Sequence, residues 1–361
     1  MAQRPVLLWA ALGLVILVLT GCTDRQAPAK KEPPTVRVEP PAVRTEPEPS
    51  KKAPETVKKE PAPPDNRPPV VRAVEKLGGK VVVDAEQPGK PVVVVDFTET
   101  KVTDDTLKEL KGLKSLVTLK LRKSKVTDAG LKELNQLTNL QSLDLDYTQV
   151  TDVGLQELKG LTSLQDLGLT ATQVTDTGLK ELTALKSMRD LGLSGTQVTD
   201  AGLKELKELK RLEKLYLAGT QISDAGLKEL KELASLQVLD LGVTSIQGAG
   251  LKELKGFKSL HTLYLNGTKV AGTGLKELKD LPRLSELYLS DTPITDEGLK
   301  ELKEFKTLVS LDLHATQVSN TGLKVLKEIE TLRALFLNDT KVTDAGAKEL
   351  KAARPELRIY R

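Results

Sequence analysis

The stretch LVTLKLRKSKVTDAGLKELNQLTN, residues 116–139, decides the fold because its pattern returns every 24 residues. The position of Leu131 can be followed in steps of 24 from Leu107 to Ala347 without an insertion or a deletion. A fixed period of about 20 to 30 residues is typical of a solenoid in which every repeat forms one coil. A single coil cannot bury its own apolar side chains, so stability must come from the stacking of coils.

Each repeat begins with a short strand and returns through a helix. Leu119 and Leu121 alternate with polar residues, and this period of two predicts a strand whose leucines face inward. Leu131, Leu134 and Leu137 follow at every third residue and predict the apolar stripe of a helix on the convex side. Stacked strands then form a parallel sheet on the concave side, with a spacing of about 4.8 Å.

The segment between strand and helix carries small and polar residues with specific roles. Thr127 and Asp128 offer side-chain oxygens to the free amides of the helix start. Gly130 keeps the first helical turn small, so that neighbouring coils can approach. Both ends of such a solenoid need a capping unit, and we expect one at about 73–100 and another at about 351–361, with a last strand at Leu357–Tyr360.

The repeats resemble leucine-rich repeats of the Val/Ile-Thr-Asp-x-Gly-Leu class, through residues such as Val126, Thr127, Asp128, Gly130 and Leu131. This class occurs in planctomycete-type bacterial proteins and in the cysteine-containing repeats of F-box proteins. The resemblance implies an α/β solenoid, a leucine-rich-repeat horseshoe with a parallel β-sheet on the concave side and short helices on the convex side. In most repeats Thr stands at the ninth position, where Asn or Cys is usual, and no F-box segment precedes the repeats, so an F-box-like adaptor role is not supported.

The N-terminal residues 1–22 have the pattern of a targeting segment. An apolar run from Val6 to Leu19 is shorter than the roughly 20 residues of a membrane-spanning helix, and it ends in Leu-Thr-Gly-Cys22. The segment resembles a bacterial lipoprotein signal, which implies lipidation of Cys22 and removal of the preceding residues. Thr23 after the cysteine implies sorting to the outer membrane. An ordinary signal peptide or a short uncleaved anchor is the alternative.

Residues 23–72 are predicted to be a disordered linker, and residues 73–361 the repeat domain of about ten repeats. The linker contains 13 prolines among mixed Lys and Glu, a composition with too little apolar surface to fold. Its role would be that of a spacer, with an end-to-end length of up to about 150 Å if fully extended. A proline-rich docking motif is the alternative interpretation.

The composition excludes several functional classes. Lys plus Arg number 54 and Asp plus Glu 50, a balance that gives no electrostatic reason to expect nucleic acid. One cysteine and two histidines leave no disulfide and no motif for a metal site, a cofactor or catalysis, so we expect no enzyme.

Lysines on the convex side alternate with glutamates and are interpreted as solvated surface. Contact with the membrane is therefore expected through the lipid anchor only.

The strand side chains that point away from the core form what we call the sheet face. It comprises a central column, expected to be the most exposed, and the two columns that flank it, from Asp96 to Asn338. The central column consists of Lys120, Asp144, Gly168, Gly192, Tyr216, Asp240, Tyr264, Tyr288, Asp312 and Phe336. The acidic residues of the face are Asp96, Asp144, Asp146, Asp166, Asp190, Asp240, Glu286 and Asp312, opposed by Lys120, Arg122 and Lys214.

Three of the five tyrosines lie in the central column, beside carboxylates and close to both histidines. Exposed aromatic rings next to hydrogen-bonding groups are typical of recognition sites. The candidate ligand-binding residues are Tyr216, Asp240, Tyr264, Glu286, Tyr288, Asp312, His314 and Phe336. A preference of aromatic residues for strands, and a polar surface role for His261 and His314, are the simpler explanations.

The sequence therefore predicts a membrane-tethered binding module of the cell envelope that recognises a protein, peptide or glycan on its concave face. The alternative is a structural envelope component in which the solenoid serves only as a scaffold.

Replacing Cys22 with Ala should leave the chain soluble or unprocessed, because the cysteine sulfur is the attachment point of the acyl chains and a stable anchor needs more than one. Metabolic labelling with a fatty acid, followed by membrane fractionation, measures this. Label that persists in the Cys22→Ala variant would contradict the lipoprotein interpretation.

Overall fold

The computed structural model describes residues 68–361. Cys22, the targeting segment and residues 23–67 of the predicted linker lie outside this range. The described residues form one sheet of 13 strands in chain order, parallel throughout except for the antiparallel pair β1 and β2. The strands are β1 Lys80–Val83, β2 Val92–Asp96, β3 Thr118–Lys120, β4 Ser142–Asp144, β5 Asp166–Gly168, β6 Asp190–Gly192, β7 Lys214–Tyr216, β8 Val238–Asp240, β9 Thr262–Tyr264, β10 Glu286–Tyr288, β11 Ser310–Asp312, β12 Ala334–Phe336 and β13 Arg358–Tyr360.

The core consists of leucine columns that run from coil to coil. Leu119 pairs in register with Leu143, and Leu143 with Leu167, so that equivalent residues of neighbouring repeats lie side by side. These leucines and those of the return path are almost fully buried. The predicted α/β leucine-rich-repeat solenoid is thereby confirmed.

The convex side differs in detail from the expected helix. Asp128–Leu131 form a single α-helical turn, and Lys132–Leu134 continue it as a 3₁₀ helix. The amides of Leu137 and Leu140 also bond to carbonyls three residues back. Leucines at every third residue match the three residues per turn of a 3₁₀ helix, which explains why the stripe has that spacing.

The α-helices are α1 Pro69–Lys76, α2 Asp104–Lys108, α3 Asp128–Leu131, α4 Asp152–Leu155, α5 Asp176–Leu179, α6 Asp200–Leu203, α7 Gly272–Leu275, α8 Asp296–Leu299, α9 Asn320–Leu326 and α10 Asp344–Ala353.

Thr and Asp at the helix start have different roles, which corrects the expectation that both cap the same helix. The Thr127 hydroxyl accepts a hydrogen bond from Ala129 N, as a helix cap does. The Asp128 carboxylate instead accepts from the next coil, from Thr151 N at 2.8 Å and from Thr151 Oγ1 at 2.7 Å. Hydrogen bonds to a charged group are among the stronger ones in proteins. We call the repeated contact the Asp–Thr ladder.

Glycine after this pair is required by the ladder. A Cβ added at Gly154 would overlap Asp128 Oδ1 of the preceding coil, and the same conflict occurs between Gly178 and Asp152. The expected role of this glycine in close approach is therefore correct, and the group that approaches is the ladder carboxylate.

Both ends of the sheet carry distinct units. Helix α1 begins at Pro69, four residues before the expected start of the folded domain, and its Val71 and Val74 pack on the core. At the other end β13 supplies the expected last strand. The Arg354 guanidinium lies behind it and donates to the carbonyls of Ile329 and Leu332, among others. This arginine satisfies backbone acceptors at the last coil of the described sheet.

In residues 68–361, no helix has both the length and the apolar character needed to cross a membrane.

The Asp–Thr ladder is interrupted at two successive coils, where Gln247-Gly248 and Ala271-Gly272 replace Thr-Asp. Neither replacement supplies a side-chain cap. The backbones approach each other instead, since a Cβ at Gly272 would overlap the Cα of Gly298. Pro293 stands where other coils have an amide that bonds to the previous coil, as Lys269 does to Ile246 O, and proline has no such amide.

Backbone amides in residues 247–276 should exchange with solvent faster than amides in the flanking coils. Each lost cap costs on the order of 1 kcal/mol, and coupling between nearest neighbours concentrates the weakness at these coils. Hydrogen–deuterium exchange with peptide-level readout measures this, with the coil from Asp176 to Thr199, whose ladder is intact, as the internal reference. Equal protection in both regions would show that the glycine contacts replace the ladder fully.

Candidate functional site

The central column of the sheet face is less exposed than expected. Asp144 and Gly192 are buried, and Tyr216, Tyr264 and Tyr288 are partly buried. Side chains on neighbouring strands of a parallel sheet stand about 4.8 Å apart and cover each other's flanks. The candidate residues thus form a continuous surface of side-chain tips and edges.

All three aspartates of this column, and Asp96 in the same register on β2, have a local structural role that the sequence did not reveal. Where the strand ends, the carboxylate accepts from the amide two residues later. This bond joins Asp96 to Thr98 N, Asp144 to Asp146 N, Asp240 to Gly242 N and Asp312 to His314 N, at 2.9 to 3.0 Å. Such Asx turns are typical of aspartate. Each turn uses one oxygen of the carboxylate. The second oxygen of Asp312 accepts from the Ser290 hydroxyl, whereas that of Asp240 has no hydrogen-bond partner among residues 68–361.

The acidic and basic groups of the face are unevenly matched. Lys120 lies 3.5 Å from Asp96, Arg122 lies 2.7 Å from Asp146, and Lys214 lies 3.2 Å from Asp190. All three pairs lie in the N-terminal half.

The C-terminal half of the face has acids without basic partners. From β8 to β12 the three columns contain no lysine or arginine. Within residues 68–361, Asp240, Glu286 and Asp312 accept hydrogen bonds from amides and hydroxyl groups, and no lysine or arginine forms an ion pair with them.

Burial raises the pKa of several carboxyl groups of the sheet face. Burial, and next the adjacent Asp146 carboxylate, raises the pKa of Asp144 from 3.8 to about 6. Burial also raises the pKa of Asp166, Asp190 and Asp240. For Asp240 the opposing influence is the hydrogen bond from Gly242 N, and no cation contributes. A cationic ligand group would therefore restore favourable surroundings for this carboxylate.

Two pairs of aromatic rings stack along the central column. Tyr264 and Tyr288 lie face to face with ring centroids 4.4 Å apart and an interplanar angle of 14°. Phe336 and Tyr360 form a second stack at 4.5 Å and 10°. Asp312 lies on the strand between the two stacks. Sequence reasoning missed Tyr360 because it assigned this residue to the cap, although its strand continues the same register.

Glu286 is held by a chain of hydrogen bonds beside the first stack. Thr262 Oγ1 donates to Glu286 Oε2 at 3.3 Å, and the Tyr288 hydroxyl donates to the same oxygen at 3.4 Å. His261 Nδ1 lies 2.8 Å from Thr262 Oγ1. Burial and the carboxylate both raise the pKa of Tyr288, burial more strongly. The tyrosine hydroxyl therefore stays protonated and can donate hydrogen bonds.

His314 lies at the edge of this region, with Nδ1 3.7 Å from Asp339 Oδ2 in the following turn. The structure thus brings all eight candidate residues onto strands β7 to β12 or, for His314, close behind β11. No group of three or more potential metal ligands occurs in the described part of the chain.

A family model and one solved structure, that of an internalin, agree with this architecture. The family model described as Leucine Rich repeat matches residues 136–159, 211–231 and 282–303. A crystal structure of an internalin from Listeria monocytogenes is 20% identical in sequence and has a TM-score of 0.55. The match covers 81% of this chain and 92% of the internalin chain. The structure of a leucine-rich-repeat protein from Leptospira interrogans is 22% identical in sequence and has a TM-score of 0.40. That match covers 70% of this chain and 80% of the Leptospira chain. No curated protein sequence matches the chain.

The repeated coils, the continuous parallel sheet and the outward columns define a solenoid repeat protein. Within that class, the fold is an α/β leucine-rich-repeat solenoid, and the leucine-rich-repeat model matches three of its segments. Leucine-rich repeats commonly mediate protein binding and typically serve as non-enzymatic scaffolds.

Asp144→Asn should stabilise the fold at neutral pH. The pKa of Asp144 is 3.8 as its reference value and about 6 in the folded chain. The folded chain therefore holds this proton more tightly, and the contribution of Asp144 to the free energy of unfolding falls as the pH rises from about 4 to about 6. Asparagine keeps the acceptor for Asp146 N and removes the buried charge, so the gain at pH 8 should be about 1–3 kcal/mol.

Urea unfolding followed by circular dichroism at pH 8 and pH 3.5 measures this gain, which should vanish at the lower pH. Asp280→Asn, at an exposed position, is the control and should leave the midpoint unchanged at both values. An equal effect of Asp144→Asn at both pH values would contradict the assigned acidity.

Proposed function

We propose that this chain is a membrane-tethered binding module of the bacterial cell envelope, and that the C-terminal half of its sheet face recognises a protein, peptide or glycan. The tether rests on the sequence alone, on the Leu-Thr-Gly-Cys22 motif and the proline-rich segment that follows it. The ligand site rests on the geometry of the sheet face.

The observation that carries the binding proposal is the pair of aromatic stacks on either side of Asp312. None of the four rings is needed to fill the core, whose leucines lie on the opposite side of the same strands. Partly exposed aromatic rings beside unpaired carboxylates are the composition of a binding hot spot. From Tyr216 to Tyr360 the site spans six strand spacings, about 29 Å, which suits an extended chain better than a small metabolite.

The double change Tyr264→Ala and Tyr288→Ala should weaken ligand capture at least tenfold, about 1.4 kcal/mol, while leaving the fold intact. The measurement is selection from a displayed random-peptide library and from an envelope extract, with immobilised wild-type and variant chains compared side by side. Circular dichroism and thermal unfolding confirm that both chains are folded.

The matched control is Tyr147→Ala, which removes an exposed tyrosine from a turn outside the site. It should capture ligands as wild type does. Ligands retained equally by the double variant would place the binding site elsewhere. A wild-type chain that captures nothing would favour the scaffold alternative.

A further inference from the structure

Stacking within each aromatic pair creates two slots between aromatic rings on the central column. Because Tyr264 and Tyr288 cover one face of each other, their free faces point outward along the column, towards Asp240 on one side and Asp312 on the other. Phe336, covered by Tyr360, likewise turns its free face towards Asp312. We define the first slot by Tyr216, Asp240 and Tyr264, and the second slot by Tyr288, Asp312 and Phe336.

Each slot has a carboxylate at its base and an aromatic residue on either side. The flanking residues lie two strand spacings apart, about 9.6 Å, so a group at the centre is about 4.8 Å from each ring column. A cation within about 6 Å of an aromatic ring is attracted by the ring quadrupole. The base carboxylate adds a charge-assisted hydrogen bond. The dimensions therefore fit an ammonium or a guanidinium group.

Both base carboxylates have acceptor capacity left. Asp240 Oδ1 accepts from Gly242 N, and Oδ2 has no hydrogen-bond partner among residues 68–361. Asp312 accepts from His314 N and from the Ser290 hydroxyl, one bond at each oxygen. A carboxylate oxygen has two lone pairs, so each base can still accept from a ligand donor.

The chain itself shows this combination filled by a cation in its N-terminal half. The Arg122 guanidinium lies 4.8 Å from the centre of the Tyr147 ring and donates to Asp146 Oδ2 at 2.7 Å. An aromatic ring, a carboxylate and a basic side chain thus form one unit there. From β7 to β12 the rings and carboxylates recur, and the one basic residue of these strands, Lys214, is paired with Asp190. A partner must contribute the cation.

The same geometry disfavours a glycan. Sugar rings pack on broad, open aromatic faces, whereas here each stack covers the inner faces of its two rings. The outer faces of Tyr264, Tyr288 and Phe336 each stand opposite a carboxylate across a slot. Side chains that enter edgewise between rings, with a charge opposite to that of the base, suit these openings better.

The separation of the slots indicates the form of the ligand. Asp240 on β8 and Asp312 on β11 are three strand spacings apart, about 14 Å. Four residues of an extended chain span about 13.5 Å, and side chains at such an interval point to the same side. We propose that the two slots bind two basic side chains, arginine or lysine, that lie four residues apart in one extended polypeptide segment. This assignment rests on the proposed binding function and names its ligand class.

The test uses fluorescein-labelled nonapeptides of serine and threonine with two arginines each, and fluorescence anisotropy with the full chain. The first peptide has arginine at its third and seventh positions. The second has the same charge with arginine at its third and sixth positions, which places the side chains on opposite sides. The first should bind at least tenfold more tightly, and replacing its arginines with citrulline should abolish that advantage.

Asp240→Asn and Asp312→Asn should each weaken binding of the first peptide at least fivefold, because asparagine keeps the turn hydrogen bond and removes the charge. Asp144→Asn is the matched control, a carboxylate of the same column outside both slots, and should leave binding within about twofold. Equal binding of the two peptides, or no response to the slot variants, would overturn the assignment.

The outcome is separable from that of the proposed function. Library peptides that depend on Tyr264 and Tyr288 but show no pair of basic residues would refute the slots and leave the binding function standing. Binding of the wild type, but not of the double tyrosine variant, to an oligosaccharide array would also refute the slots. It would leave the binding function standing, with a glycan as the ligand. Capture of no ligand of any class would overturn both.

Discussion

Every feature of this molecule depends on the fact that one coil cannot bury its own leucines. The leucines of a 24-residue coil leave water only when the next coil stacks on them, so stability is a property of neighbouring pairs. The Asp–Thr ladder adds a charged hydrogen bond to each such pair where it is intact, from Asp128 to Thr151 and onward. Glycine at the third helical position lets the carboxylate reach across.

Stacking in strict register converts a period in the sequence into a column in space. Residues 24 apart, such as Tyr264 and Tyr288, become neighbours on adjacent strands. A repeat protein can therefore hold an almost constant core and still vary one surface position per coil. In this chain the variation separates the sheet face into two halves. In the N-terminal half, Asp96, Asp146 and Asp190 pair with Lys120, Arg122 and Lys214. The C-terminal half has aromatic rings and acids without basic partners on the face.

The candidate site was only partly accessible from the sequence. The column containing Tyr216, Tyr264 and Tyr288 followed from the period alone. The Asx turns that occupy one oxygen of Asp144 and Asp240 did not, because they depend on the backbone conformation where each strand ends. Tyr360 was assigned to the cap because the apolar residue expected at position 356 stands one residue later, at Leu357, although β13 itself follows β12 at the full period of 24 and keeps the register.

The sequence by itself determined the fold, the direction of each leucine and the identity of the outward columns, because a repeat of fixed length admits few ways to bury its apolar residues. It also located the two coils in which Gln247-Gly248 and Ala271-Gly272 replace the Thr-Asp pair. The tertiary structure alone decided that Asp128 bonds to the next coil, that stacked rings cover each other's faces, and that Asp312 lies between two stacks. These facts concern contacts between residues of successive coils, whose side-chain orientations are set by packing across the coils and leave no mark on the local sequence.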